Sequence, residues 1–281
     1  DSCSTIWEQL TEQGADRSSL LINLGGGVIG DMGGFAASTY MRGIDFIQLP
    51  TTLLSQVDAS VGGKLGVDFM DFKNMIGLFK NPKAVIIDPY FLNTLDKRQI
   101  RSGFAEMIKH AIIADQRMLS RLVQIDPNQF FDWAEYIEAS IEIKKKIVTQ
   151  DWQEKGIRKI LNFGHTLGHA IESNALSKEN PLLHGEAIAI GMLLELHIAV
   201  NILEFPLQKF RKIAKYLIKI YGKSPIAELD TKRILALMKK DKKNHNEEIR
   251  FALVNEVGEP NIDVVPDTIT ILEALKYYRN L

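Results

Sequence analysis

The chain has 281 residues, enough for one large domain or two ordinary ones, and its 46% hydrophobic and 25% charged content is that of a soluble globular protein. Lys plus Arg (34) nearly balances Asp plus Glu (35), so the formal net charge of −1 favours neither nucleic acid nor an anionic membrane as partner, and any anion must be bound by a local cluster. The single cysteine, Cys3, excludes an internal disulfide and a cysteine-built zinc knuckle, and fits a reducing, cytoplasmic setting.

No basic, apolar signal sequence opens the chain, and no apolar run reads as long enough to span a bilayer. The first residue is Asp1, and Ile6-Trp7-Glu8-Gln9-Leu10 already reads as helix, so the sequence looks like a piece whose N-terminal portion is absent. Residues 19–24 form a short apolar run ending in Gly25-Gly26-Gly27, the pattern of a buried strand entering a tight turn. Small residues over 33–40 predict a helix packed close to a sheet. Residues 45–49 and 84–88 read as further strands, stopped by Pro50 and Pro89. Strand, helix and strand at this spacing predict a parallel α/β sheet. From about Asp96 onward the apolar spacing turns helical, over 100–113, 133–148, 185–203 and 271–278, with one strong strand candidate at 250–254. The fold class is therefore α/β plus all-α, with an α/β domain over 1–95 and a mainly helical domain over 96–281.

Gly25-Gly26-Gly27-Val28-Ile29-Gly30 fits G-x-G-x-x-G after a strand, and Asp45 lies twenty residues after Gly25. Such a loop lets a backbone approach a pyrophosphate at a helix N-terminus, or it serves only as a turn that packs a helix on a sheet. All six histidines fall in the helical part: His110, His165, His169, His184, His197 and His245. His165 and His169 are four apart, which puts both rings on one helical face, and His184 stands at a helix start. Glu106 sits among Phe104, Met107 and Ile108, where a carboxylate needs a partner. Two histidines and a carboxylate with an open position suit a catalytic divalent metal, while the same residues also suit a hydrogen-bonded core. His110, His197 and His245 carry no such spacing.

Several segments, in order, resemble the 3-dehydroquinate synthase family along nearly the whole chain. They include Leu24-Gly25-Gly26-Gly27-Val28-Ile29-Gly30-Asp31, Leu49-Pro50-Thr51-Thr52-Leu53-Leu54-Ser55-Gln56-Val57-Asp58, Val61-Gly62-Gly63-Lys64 and Lys73-Asn74-Met75-Ile76-Gly77. The later ones are Gly103-Phe104-Ala105-Glu106-Met107-Ile108-Lys109, Gly156-Ile157-Arg158, the run over 161–172, and His184-Gly185-Glu186-Ala187. The resemblance implies a Rossmann-like NAD-binding domain, incomplete here, followed by a helical metal- and substrate-binding domain. It implies zinc, or Co2+ in its place, on Glu106, His165 and His184, with His169 a substrate-phosphate or proton-transfer group. NAD would touch Gly26, Gly27, Asp31, Thr51, Thr52, Leu54 and Lys73, and Asp45 would lose the ribose role. Asp58, Lys64, Asn74, Lys109, Lys144, Glu154, Arg158 and Asn162 would line the substrate pocket, and Lys242 or Lys243 would reach the phosphate.

The implied reaction converts a seven-carbon keto-acid phosphate to a carbocycle by transient oxidation with NAD, phosphate elimination, re-reduction and aldol closure. Arg158, Lys144 and Gly63-Lys64 suit its carboxylate and weigh against sister cyclases acting on sedoheptulose 7-phosphate or glucose 6-phosphate. The set of phosphate candidates weighs against a metal-dependent polyol dehydrogenase of the same fold. The resemblance also implies a homodimer in which Arg42 reaches the partner's substrate phosphate; Arg42 would otherwise cap its own helix. With the adenosine-binding strands absent, NAD is expected to bind this chain weakly. Most relatives carry Thr where this chain has Leu65, which predicts a lost hydroxyl near the nicotinamide–substrate region. The segment between His169 and His184 reads as slightly longer than usual, enlarging a loop.

Overall fold

A computed structural model describes residues 2–69, 72–129, 131–176, 179–223, 231–239 and 248–281. They form two compact units, Asp1–Gly103 with Asp132–Lys145, and Phe104–Phe131 with Lys146–Leu281. The division falls inside a helix begun before Gly103, where the sequence pattern had placed a boundary at 95/96.

In the first unit, helix α1 (Ser2–Glu12) precedes strand β1 (Leu20–Gly25), helix α2 (Gly27–Thr39) and strand β2 (Asp45–Pro50). An antiparallel hairpin follows, β3 (Lys64–Phe69) with β4 (Phe72–Phe79), then the short strand β5 (Ala84–Val85). The sheet is parallel in the order β1-β2-β5, as the strand spacing predicted. β5 stops three residues short of the predicted strand because Asp88 caps a 3-10 turn, accepting the Tyr90 N–H at 2.8 Å, with Pro89 inside it. α2 begins at Gly27, well before the small-residue run, because extended Gly26 serves as its N-cap directly at the strand end.

The core under α2 is Phe35, Ala37, Tyr40, Ile44, Phe46 and Leu65, with Trp7 and Leu10 of α1 against it. Each large side chain buried there contributes roughly 1.5–3 kcal/mol. Leu65 is 6% exposed, and a Cβ on Gly34 would run into its Cδ2. Alternation along β3 turns position 65 to this core while Lys64 stays exposed. The expectation of a hydroxyl lost near the nicotinamide is thus corrected: the residue at 65 fills the core.

In the second unit, α3 (Lys97–Ala114) and α4 (Gln116–Leu122) come first, and α5 (Ala134–Gln150) enters it from Lys146 onward. Then come α6 (His165–Ala175), α7 (His184–Ile202), α8 (Leu207–Tyr221), α9 (Thr231–Lys239), the antiparallel pair β6 (Phe251–Glu256) and β7 (Glu259–Val264), and α10 (Thr268–Asn280). α7 corrects the reading that no apolar run could span a bilayer. Its mean hydropathy is 1.5, which makes it the one helix among the described residues long and apolar enough to cross a membrane. In the fold, 72% of that window is buried, as in the central helix of a core.

Three glycines let α6 and α7 cross closely. A Cβ on Gly191 of α7 would lie inside the van der Waals radius of the Gly164 carbonyl oxygen, and one on Gly168 would lie 2.8 Å from Ile188 Cδ1. Gly164 itself has φ +79°, and a Cβ there would lie 2.6 Å from Met192 Cγ. Replacing Gly191 by Ala must therefore push the helices apart. The expected cost is about 1–3 kcal/mol, read as a lowered denaturation midpoint with an unchanged slope.

Candidate active site

The second unit gathers a buried polar cluster from three helices. Glu106 lies on α3 with no exposed surface, and Lys109, one turn on and 1% exposed, forms an ion pair with its Oε2. His165 is the first residue of α6 and His184 the first of α7. His165 Nε2 lies 3.5 Å and His184 Nε2 3.4 Å from the same atom, Glu106 Oε1. The other ring nitrogens face acceptors: His165 Nδ1 donates to the Phe163 carbonyl at 3.0 Å, and His184 Nδ1 to Glu172 Oε2 at 3.3 Å. Those bonds put a proton on Nδ1 of both rings and turn both Nε2 atoms toward Glu106. Two imidazole nitrogens and a carboxylate oxygen, each with a fixed second contact, are a donor set that fits a zinc-like divalent cation. His169 stands beside them, its ring centroid 5.0 Å from that of His165 and 5.8 Å from that of His184. The ligand atoms of the three histidines all lie within 4.8 Å of one another.

Charge in this cluster is divided unevenly. Burial, reinforced by the Lys109 ammonium, holds His165 well below the usual imidazole range and so neutral. Burial acts the same way on His184, but hydrogen bonds to Glu106 and Glu172 and their charges outweigh it and push it up to about 9.

A loop of the same unit assembles three further sequence-predicted residues. The Asp151 carboxylate accepts N–H groups from Lys155 (3.0 Å), Gly156 (2.7 Å) and Arg158 (3.0 Å). Burial would raise its pKa, but these bonds hold it below the usual carboxylate range. The loop they fix puts Glu154 at φ +59°, in the left-handed region, where its carboxylate accepts Asn162 Nδ2 at 2.7 Å. Arg158 is 2% exposed and donates from Nη1 to the Trp152 carbonyl at 2.6 Å.

In the first unit the glycine-rich turn sits at the C-terminal ends of the parallel strands, the edge where such sheets bind ligands. The register pairs Gly25 with Pro50, and the Thr51 N–H bonds the Gly25 carbonyl at 2.9 Å. A small cleft there is lined by Gly26, Gly27, Asp31, Ser55 and Ser60, among others. Thr52 and Ser55 exchange hydroxyl contacts at 2.8 Å, opening the short π-helical turn over Ser55–Ala59 that carries Asp58. Leu54, half-buried, leads into that turn. Lys144, 6% exposed, bonds both the Asp58 carboxylate (2.8 Å) and its carbonyl (2.6 Å). Asp45 pairs with Lys83 at the opposite end of β2, five registers or roughly 16 Å from the loop, which removes it from any ribose role.

Lys64 and Asn74 are exposed on the β3–β4 hairpin; Asn74 has φ +47°, and its N–H bonds Asp68 at 2.8 Å. Arg42 is exposed on a turn where Met41 and Arg42 both have positive φ, +48° and +69°. Lys242, Lys243 and His245, and the side chain of Lys73, lie outside the described residues. Sequence reasoning missed Glu172 and Glu195. The signal was present for Glu195, since a lone carboxylate in the apolar run Met192-Leu193-Leu194-Glu195-Leu196 needs a partner as much as Glu106 does.

Comparison with known proteins gives a consistent result. Family models described as 3-dehydroquinate synthase N-terminal and C-terminal match residues 1–102 and 103–244. A 3-dehydroquinate synthase of Parabacteroides distasonis is 43% identical over 280 residues, covering 99% of this chain and 79% of that protein. A solved 2-deoxy-scyllo-inosose synthase, complexed with carbaglucose-6-phosphate, NAD+ and Co2+, superposes with a TM-score of 0.87 at 26% identity, covering 98% of this chain and 78% of that one. A 2-epi-5-epi-valiolone synthase from Streptomyces hygroscopicus with NAD+ and Zn2+ gives 0.84 at 25% identity, covering 99% and 79%.

Asp31, beside the glycine turn, is pushed up to about 7 by burial and then by the charge of Asp58, against the pull of Lys144. A carboxyl raised in the folded state binds more protons there than in the unfolded chain, so stability falls as pH rises from about 4 to about 7. Asp31→Asn removes that loss. Its stability relative to the parent should grow across this window and level off above it, with a gain of about 1–3 kcal/mol at pH 8 after discounting for partial exposure. Denaturant titrations of both chains at several pH values measure the difference.

Proposed function

The chain belongs to the 3-dehydroquinate synthase family, and we propose that it converts 3-deoxy-D-arabino-heptulosonate 7-phosphate to 3-dehydroquinate and phosphate in the cytoplasm, a step of aromatic amino acid biosynthesis. The observation that carries this reading is the convergence of His165 and His184 on Glu106 beside Lys109. When bound, NAD takes and returns a hydride, while a divalent cation, Zn2+ or Co2+, polarises the substrate oxygen undergoing oxidation.

Glu106, His165 and His184 hold the cation. Lys109, already aimed at Glu106, donates a hydrogen bond to the reacting oxygen as its charge changes. His169, on the same face of α6 as His165, holds the substrate phosphate or passes its proton. The family resemblance gives Arg158 and Lys144 the substrate carboxylate as their ligand, and Arg158 offers the two parallel donors of a guanidinium. Glu154 and Asn162, bonded to each other, position the sugar hydroxyls and phosphate, and the family resemblance gives Asp58, Lys64, Asn74 and Lys242 or Lys243 substrate-binding roles as well. The leaving phosphate is itself a base, so the task left to these residues is largely to hold reacting groups at the right distance. In the first unit, Gly26 and Gly27 let the backbone approach the NAD pyrophosphate, with Thr51, Thr52, Leu54 and Lys73 around it. Asp31, pushed up to about 7 by burial and then by the charge of Asp58, repels a phosphate there less than an ordinary carboxylate would.

Incubating the protein with the keto-acid phosphate, Zn2+ and NAD in large excess, to offset the weak binding expected of it, should release phosphate and form 3-dehydroquinate, identified by mass spectrometry. Sedoheptulose 7-phosphate should yield no carbocycle. His184→Ala should abolish both turnover and Zn2+ binding while far-UV circular dichroism stays unchanged, because an open catalytic site contributes little to the fold. Product from the seven-carbon sugar phosphate instead would reassign the substrate.

The protein is a homodimer in this proposal, and Arg42 completes the site of the neighbouring subunit. Support comes from its exposure on a turn where two consecutive non-glycine residues hold strained positive φ, a cost of order 1–3 kcal/mol each that a display role explains. Mixing Arg42→Ala with Lys64→Ala chains should restore activity toward a quarter of the parent level, since half of the dimers are mixed and each holds one intact site. Mixed dimers with no more activity than either parent variant would place Arg42 outside the partner's site.

A further inference from the structure

Glu195 has no exposed surface, yet it lies on α7, the most apolar helix of its unit. Its carboxylate accepts the Gly164 N–H at 2.6 Å and the Leu167 N–H at 3.1 Å. Gly164 is the N-cap of α6 and Leu167 its third residue, so these are the two donors that a capping box satisfies with two side chains. Here one carboxylate from the neighbouring helix satisfies both. A local cap is ruled out by geometry: φ at Gly164 is +79°, and a Cβ there would meet Met192. Gly191 and Glu195 are four apart on the same face of α7, so the residue that admits the α6 terminus and the one that caps it come as a pair.

The first residue of the capped helix is His165, whose Nδ1 is held by the carbonyl of Phe163, just before the cap. We propose that Glu195 is a positioning residue for the cation site: by tying down the start of α6 from α7, it fixes the direction of His165 Nε2 toward Glu106. This rests on the reading that Glu106, His165 and His184 hold a divalent cation, and it adds a residue that acts on the site without touching the ion. Glu195→Ala frees both amides. Glu195→Gln keeps one acceptor oxygen and turns an N–H donor on the other amide.

The test uses the whole chain and Co2+ alone, reading affinity by titration and ligand geometry by the visible absorption of the bound ion. Affinity should fall about 10–100-fold in Glu195→Ala and by an intermediate factor in Glu195→Gln, with a changed absorption envelope in both. Asp267→Ala serves as control, since it removes the cap of α10, where Asp267 accepts the Thr270 N–H at 2.7 Å, and should lower stability without moving either readout. If Glu195→Ala does not fold, Glu195→Gln decides. Parental Co2+ affinity and spectrum in a folded Glu195 variant would overturn the proposal, leaving Glu195 as a cap no different from Asp267. His165→Ala is run alongside: Co2+ binding that survives it overturns the cation reading and this proposal together, whereas loss there with retention in the Glu195 variants overturns this proposal alone.

Discussion

A carboxylate with no exposed surface stays charged only if its surroundings replace the water it has lost, and Glu106 imposes that requirement on the whole second unit. The cost of burying such a charge is several kcal/mol, so its partners must come from within reach and be held there. One is local, Lys109 on the next turn of α3. The others, His165 and His184, are brought by α6 and α7, which must therefore start close to α3 and close to each other. Glu106 is thus both the electrostatic burden of the unit and the point from which its helix arrangement can be read.

The glycines of α6 and α7 meet that demand sterically. Side chains at 164, 168 and 191 would run into the facing helix and force α6 and α7, with the histidines that begin them, apart. Removing Cβ atoms at the crossing lets the Gly164 carbonyl approach Gly191, and the apolar residues around it, Ile188 and Met192, fill the remaining space. The polar atoms stranded by so tight a crossing are then satisfied by Glu195. Packing and hydrogen bonding here are one solution, since the close approach that denies α6 its own cap also delivers another.

Much of this was legible in the sequence. The parallel strands, the helical turn of the chain after Asp96, the shared helical face of His165 and His169, and the helix start at His184 all follow from apolar spacing and from glycine and proline punctuation. What was not legible has physical causes. The β3–β4 hairpin carries glycines at 66 and 77, directly paired, which depress the strand signal. Leu65 was read from the Thr that most relatives carry there, although strand alternation turns 65 to the core and away from the side that Lys64 takes. Glu172 and Glu195 act through contacts between helix faces, so even the lone carboxylate in the apolar run of α7 could not be given its partner from spacing along one helix.

The site histidines share a position that bears on their chemistry, because each is the first residue of its helix. The positive end of a helix disfavours an imidazolium and favours the neutral ring that can donate a lone pair. At α7 the Glu186 carboxylate accepts the Leu183 N–H at 2.8 Å, and at α6 Glu195 accepts two amides, so each terminus is given a negative partner that is not the histidine's own ligand site. His165, with Lys109 near and its Nδ1 on a neutral carbonyl, is left neutral. His184, with its Nδ1 on the charged Glu172, is drawn the other way. The asymmetry lies first in the hydrogen bond that His184 makes to Glu106 and then in the acceptor behind each ring, a carbonyl in one case and a carboxylate in the other. A carboxylate behind His184 strengthens its Nε2 as a donor, while the carbonyl behind His165 fixes direction and adds little charge. Two histidines of the same type thereby become unequal ligands, one held chiefly by geometry and one also by electrostatics.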